Sequence, residues 1–256
     1  MMMLGLVLHS ALTYNVVNHG EAWTLKDTES TSIVTDSIVF LIHFFRMPIF
    51  FLVAGFFGAM LFYERSPIRM IKNRISRIGY PFIIFLFILW PTIIFTFGYT
   101  EAVFSGNNEP LIKATESLSN ITDFIPTTTF HLWFLYYLLL ITFVSFLFAL
   151  SLKKSKNITN KITGGFNWLI KKPILRILFF AGTTFLLYLS IGTSMVEVSV
   201  YLTPELKTFI FHFFFYIIGW ILFKSKHLLE TFMKYDWISF ILAIIIATIQ
   251  GLITQN

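Results

Sequence analysis

Seven runs of apolar residues organise this chain, at roughly Met1–Val17, Ser37–Tyr63, Ile78–Phe97, His131–Leu152, Ile174–Ile191, Thr208–Phe223 and Trp237–Thr254. A helix needs about 20 apolar residues to cross the hydrocarbon core, and these runs reach or approach that length. They are continuous, without the polar alternation of barrel strands. Lipid offers no water to the backbone, so a spanning segment must satisfy its own hydrogen bonds as a helix. The predicted fold class is therefore all-α, a polytopic transmembrane helix bundle with about seven spans. Composition agrees: 12% of residues are charged, against about 25% in an ordinary soluble domain. With no cysteine, disulfides and thiolate metal sites are excluded. Met1–Leu8 lacks a preceding basic region and a following small-residue cleavage site, so it is not read as a cleavable leader.

The charges sort by loop. Stretches 64–78, 152–176 and 224–236 hold 15 of the 19 basic residues, and 152–176 contains no acid. Stretches 18–36, 98–130 and 192–207 hold 10 of the 13 acids and three basic residues. Cytoplasmic loops carry the excess of Lys and Arg, so this strict alternation predicts a cytoplasmic N-terminus and an outer C-terminus. A net charge of +6 carried almost wholly by such loops speaks for topology, not for a nucleic-acid partner. Gly164-Gly165 in the long basic loop reads as a turn. Asn120-Ile-Thr122 and Asn157-Ile-Thr159 match a glycosylation sequon, a weak three-residue signal.

The one basic residue left over by these loop counts, Arg46, falls inside the second span. An arginine at a helix centre costs about 2.5–3.5 kcal/mol on insertion scales, so such residues mark a polar interior or a site. His9, His43 and His212 are the other ionisable candidates within spans. His43 and Arg46 are three apart and share a helix face, and Pro48 just beyond weakens the local ladder. His9 and Arg46 each lie nine residues inside the outer end of their spans, about 14 Å deep at the helical rise, and can face one cavity. Each has a plain alternative: a neutral interhelical histidine for His9, pairing with helix carbonyls for Arg46, packing for His212. His131, Trp133, Tyr136 and Tyr137 open the fourth run, as an interfacial aromatic belt or as a binding surface. In the basic run from Arg69 to Pro81, a helix places Arg74 and Arg77 on one face at i, i+3. Two guanidinium forks there can hold phosphates, or serve only as inner-side anchors.

Several of these segments resemble one family. His43-Phe-Phe-Arg46-Met-Pro-Ile-Phe-Phe-Leu-Val-Ala-Gly55-Phe-Phe resembles the second helix of the acyltransferase 3 family of membrane O-acyltransferases. Arg74-x-x-Arg77 followed by Tyr80-Pro81 resembles that family's cytoplasmic arginine motif, and His131-Leu-Trp133-Phe-Leu-Tyr another family segment. His9, in Gly5-Leu-Val-Leu-His9-Ser10, matches the family's catalytic histidine. The similarity covers about residues 1–150 well and the rest through hydropathy.

The resemblance implies a reaction. An acyl group moves from cytoplasmic acyl-CoA, a co-substrate and not a tightly bound cofactor, to a hydroxyl of an envelope carbohydrate. His9 is then the general base on the acceptor hydroxyl, and Arg74 and Arg77 engage the phosphates of coenzyme A. A catalytic role for Arg46, steadying negative charge on the acyl carbonyl or the acceptor, is inferred from its position and is not a family motif. His43, His131 and Trp133 are the expected substrate-binding residues. The nearest branch of the family suggests a succinyl group and a periplasmic glucan. The arginine usual ahead of the family's histidine would precede Met1, and seven spans are fewer than the family's. Residues 1–256 therefore read as a single, incomplete transmembrane domain.

The competing class is non-enzymatic: a transporter or channel-like protein with His9, His43 and Arg46 lining a polar pathway. Transporters commonly show inverted repeats and broken helices. No internal repeat is visible here, although Pro48 and Pro91 can interrupt helices. Transport of acyl groups to a separate enzyme is a third reading.

Overall fold

The computed structural model describes residues 2–17, 26–27, 29–191 and 201–233, together with Trp237, Phe240, Ile241, Ile244 and Ile245. Among these residues the chain is helical, and its only β contact is an isolated antiparallel bridge between Thr128 and Tyr201. Four helical stretches are long and apolar enough to cross a membrane: Ile33–Arg65, Pro67–Phe104, Phe130–Lys153 and Leu206–Lys224. They correspond to the second, third, fourth and sixth expected runs. The first and fifth appear as shorter apolar helices, Met3–Leu12 and Pro173–Leu187. The seventh falls largely outside the described residues. Large apolar side chains such as Ile83, Ile84, Phe85, Phe87 and Ile88 stay exposed. Lipid tails accept such a surface and water does not; this is an integral membrane protein.

The chain divides into two compact units. The first draws on Met1–Arg46, Ile78–Trp133 and Val200–Leu202. Helix α1 (Met2–Leu12) packs Leu8 and Ala11 against Val39 and Ile42 in the first half of α2 (Ile33–Met60). Their i, i+3 spacing keeps each pair on one stripe of its helix. The turn after α1 is tied to the start of α2, where the Asp36 carboxylate accepts the Val16 and Val17 N–H groups at 2.9 and 3.3 Å. Asp36, counted among the loop acids by charge, is thus an anchor between two helices. α3 (Pro67–Arg74) belongs to the second unit. α4 (Tyr80–Phe104) packs against α5 (Pro110–Glu116). The Trp90 indole N–H on α4 donates to the Asp123 carbonyl at 2.8 Å. Asn120, the first sequon asparagine, forms a reciprocal capping box with Asp123.

The second unit draws on Met47–Arg77, Phe134–Ser199 and Thr203–Asn256. Within it the second half of α2 crosses helix Leu206–Lys224. Gly55 lies against the Tyr216 carbonyl and Gly219 against the Leu52 carbonyl, so closely that neither position has room for a Cβ. Small residues permit this backbone approach between membrane helices. α6 (Trp133–Lys153) brings Phe134 onto the rings of Phe50 and Phe51. α7 (Lys156–Ile170) contains Gly164-Gly165, which corrects the expected turn. The helix persists because its apolar stripe, Phe166, Leu169 and Ile170, is buried. Phe166 and Ile170 cluster with Ile218 and Leu222, which outweighs the ~1 kcal/mol that each glycine costs relative to alanine. α8 (Pro173–Ile191) and α9 (Leu206–Lys224) follow, then α10 (Leu229–Met233). Buried Arg176 on α8 donates from Nη1 to the Thr231 carbonyl of α10 at 3.3 Å. Both Pro48 in α2 and Pro91 in α4 lie within continuous helix.

Candidate active site

Three of the expected residues gather in the first unit. His9 and Gly5 occupy one face of α1, a turn apart. A Cβ at Gly5 would lie 2.9 Å from Arg46 Nη1. The missing side chain therefore admits the guanidinium to α1, one turn from His9. Arg46 is 7% exposed, and its Nε meets no acceptor among the described residues. The helices that carry His9 and Arg46 are thus neighbours at Gly5. The guanidinium keeps a donor available for charge that develops beside it.

The imidazole of His131 stands edge to face against that of His9, with ring centroids 5.0 Å apart and planes inclined by 65°. His131 comes from a short 3₁₀ turn, Phe130–Leu132, that leads into α6. It is exposed, whereas Leu132 and Trp133 beside it are buried. The interfacial-belt reading fails for Trp133 and Tyr137, which pack inside protein. In the second unit, the Tyr137 hydroxyl accepts the Glu205 N–H at 2.9 Å. The side chain of His43 lies outside the described residues.

The second unit holds the other candidates. His212 is buried, its ring 4.4 Å from that of Phe51 and its Nδ1 2.8 Å from the Thr208 carbonyl; it packs, as its sequence context suggested. The arginine pair departs from expectation. α3 ends at Arg74, and Ile75–Gly79 winds as a π turn. That wider winding parts two residues that an α-helix would place on one face. Arg74 turns inward, donating from Nη2 to the Ala54 carbonyl at 2.9 Å, with its Nε enclosed. It lies within electrostatic reach of buried Tyr216. Arg77 remains exposed. The pair is one committed guanidinium and one open one.

Two contributors were missed by sequence reasoning. Gly5 carried a usable signal, a glycine one turn from the candidate base. Phe130 carried none: its φ of +41° falls on a residue type with no preference for that region.

A family model described as an acyltransferase domain matches residues 1–255. This apolar helical chain is a membrane protein of the acyltransferase class, and it belongs to the acyltransferase 3 family. It is similar to the glucans biosynthesis protein C of Salmonella paratyphi B and to that of Salmonella heidelberg. Each is 29% identical over 145 residues, which is 57% of this chain and 35% of the relative. The match thus spans little more than a third of the length of these curated relatives. No solved structure matches the chain.

Proposed function

We propose that this chain is a multi-pass inner-membrane O-acyltransferase, N-terminus in the cytoplasm, moving an acyl group from acyl-CoA to a hydroxyl of an envelope carbohydrate. The observation that carries this reading is the gathering of His9, Arg46 and His131 in one unit of an acyltransferase-family chain. A neutral His9 imidazole takes the proton of the acceptor hydroxyl as that oxygen attacks the thioester carbonyl. Arg46, with a donor uncommitted, stabilises the oxyanion that forms. The C–S bond then breaks, and the proton passes to the departing thiolate, so transfer releases none to solvent. Arg77 takes a phosphate of coenzyme A. Arg74, on α3 and committed to the Ala54 carbonyl of α2, adds positive charge to the same side of the donor. Trp133, with His43, borders the acceptor. The name of the similar proteins supports a glucan acceptor, and succinyl is the acyl group assigned with it.

The test is reconstitution of the full chain in liposomes with acyl-labelled succinyl-CoA and an oligoglucan. Label should appear on the glucan, and His9→Ala should lower turnover at least ~10²-fold, the usual worth of a general base. Full turnover by His9→Ala would end this mechanism. Movement of acyl-CoA or glucan across the bilayer without transfer would favour the transporter reading instead.

A further inference from the structure

Phe130 is the one non-glycine residue with positive φ among the described residues, at +41°. The left-handed conformation costs an L-residue roughly 1–2 kcal/mol, and such strain persists where the surroundings over-determine it. Here they do. Thr129 is fully buried, and the Leu132 N–H donates to its carbonyl at 2.8 Å. Thr128 bridges to Tyr201. The Phe130 ring lies 5.1 Å from that of Trp90, which is itself held by the Asp123 carbonyl. An exposed histidine needs no strained turn for its own sake. What the turn delivers is the His131 ring, edge to face with His9 at 5.0 Å. Such a contact has a preferred geometry and limits the rotation of both rings.

A general base works only when its nitrogen lies within hydrogen-bond reach of the proton it abstracts. An imidazole free to turn about its Cβ–Cγ bond spends much of its time aimed elsewhere. Histidine bases are commonly oriented by a third group; one group standing against His9 is a second imidazole. We infer that His131 is a positioning residue for His9: the strained turn at Phe130 holds its imidazole as a brace that sets the plane of the His9 ring. This rests on the proposed acyl transfer and adds a division of labour to it. His9 moves the proton, and His131 fixes the direction from which His9 takes it.

The experiment measures kcat and both KM values in proteoliposomes for His131→Ala, His131→Phe and Phe130→Gly, beside wild type and His9→Ala. His131→Ala should lower kcat about tenfold or more, as misplacement of a reacting group does, with both KM values within about twofold of wild type. His131→Phe, which keeps an aromatic edge, should restore most of the rate. Phe130→Gly, which relieves the strained φ and loosens the turn, should lower kcat without lowering Tm. An unchanged kcat in His131→Ala would overturn the inference. So would a loss confined to the KM for the acceptor, which would make His131 a substrate contact, or a Phe variant no faster than the Ala variant. Failure of the underlying reading looks different: no transfer by wild type, or a fully active His9→Ala.

Discussion

Glycine serves opposite ends in the two units. In the first, the absent side chain of Gly5 admits a guanidinium, the flexible tip of Arg46, to the face of α1 that carries His9. In the second, Gly55 and Gly219 admit backbone, each against a carbonyl of the facing helix. A flexible side chain displaced by an added methyl swings aside; a helix cannot. Filling the first space should therefore disturb chemistry, and filling the second should disturb the fold.

The largest effect expected from this contrast is at the helix crossing. Gly55→Leu or Gly219→Leu should destabilise the protein by roughly 3 kcal/mol, the upper end of overpacking penalties, seen as a lowered Tm in detergent. A wild-type Tm would mean the helices separate without penalty, and the contrast would collapse. Next comes Arg74→Gln, which strips the Ala54 carbonyl of its donor. The lost hydrogen bond from a charged donor should cost about 1.5–3 kcal/mol, whereas exposed Arg77→Gln should leave Tm unchanged. Equal Tm losses at the two positions would restore the symmetric pair expected of a plain helix. Gly5→Ala should lower kcat severalfold by moving Arg46, while stability shifts by no more than ~0.5 kcal/mol. A large Tm loss there would place Gly5 with the structural glycines. The smallest effect belongs to Lys226→Ala, which removes the 2.8 Å ion pair with Glu64, both partners about half exposed. Such surface pairs contribute about 0–1 kcal/mol, so chemical unfolding should barely register the change.

Much of the fold was legible because lipid imposes a simple rule. Long apolar runs must be helices, and four of them are. The sequence also named Arg46 as the basic residue within a run, and the structure sets its guanidinium against Gly5, one turn from His9. The arginine pair escaped because the argument assumed α-helical winding, and the π turn at Ile75–Gly79 changes which face Arg77 occupies. Gly164-Gly165 misled for a related reason: local propensity favours a turn, and burial of Phe166 and Ile170 against α9 overrules it. His131 could be named as a candidate but not paired with His9. That contact depends on a backbone angle at Phe130 for which nothing in the local residues asks.

The proposed division of labour puts chemistry at His9 and Arg46 and donor recognition at Arg77. Its most direct test is kcat and KM for acyl-CoA in Arg46→Gln and Arg77→Gln, measured side by side in reconstituted protein. Arg46→Gln should lower kcat about 10²–10³-fold, as loss of an oxyanion donor does, with little change in KM. Arg77→Gln should raise KM about tenfold and leave kcat intact, the mark of binding shared by ground and transition states. The reverse assignment, a KM effect at Arg46 and a kcat effect at Arg77, would contradict the account.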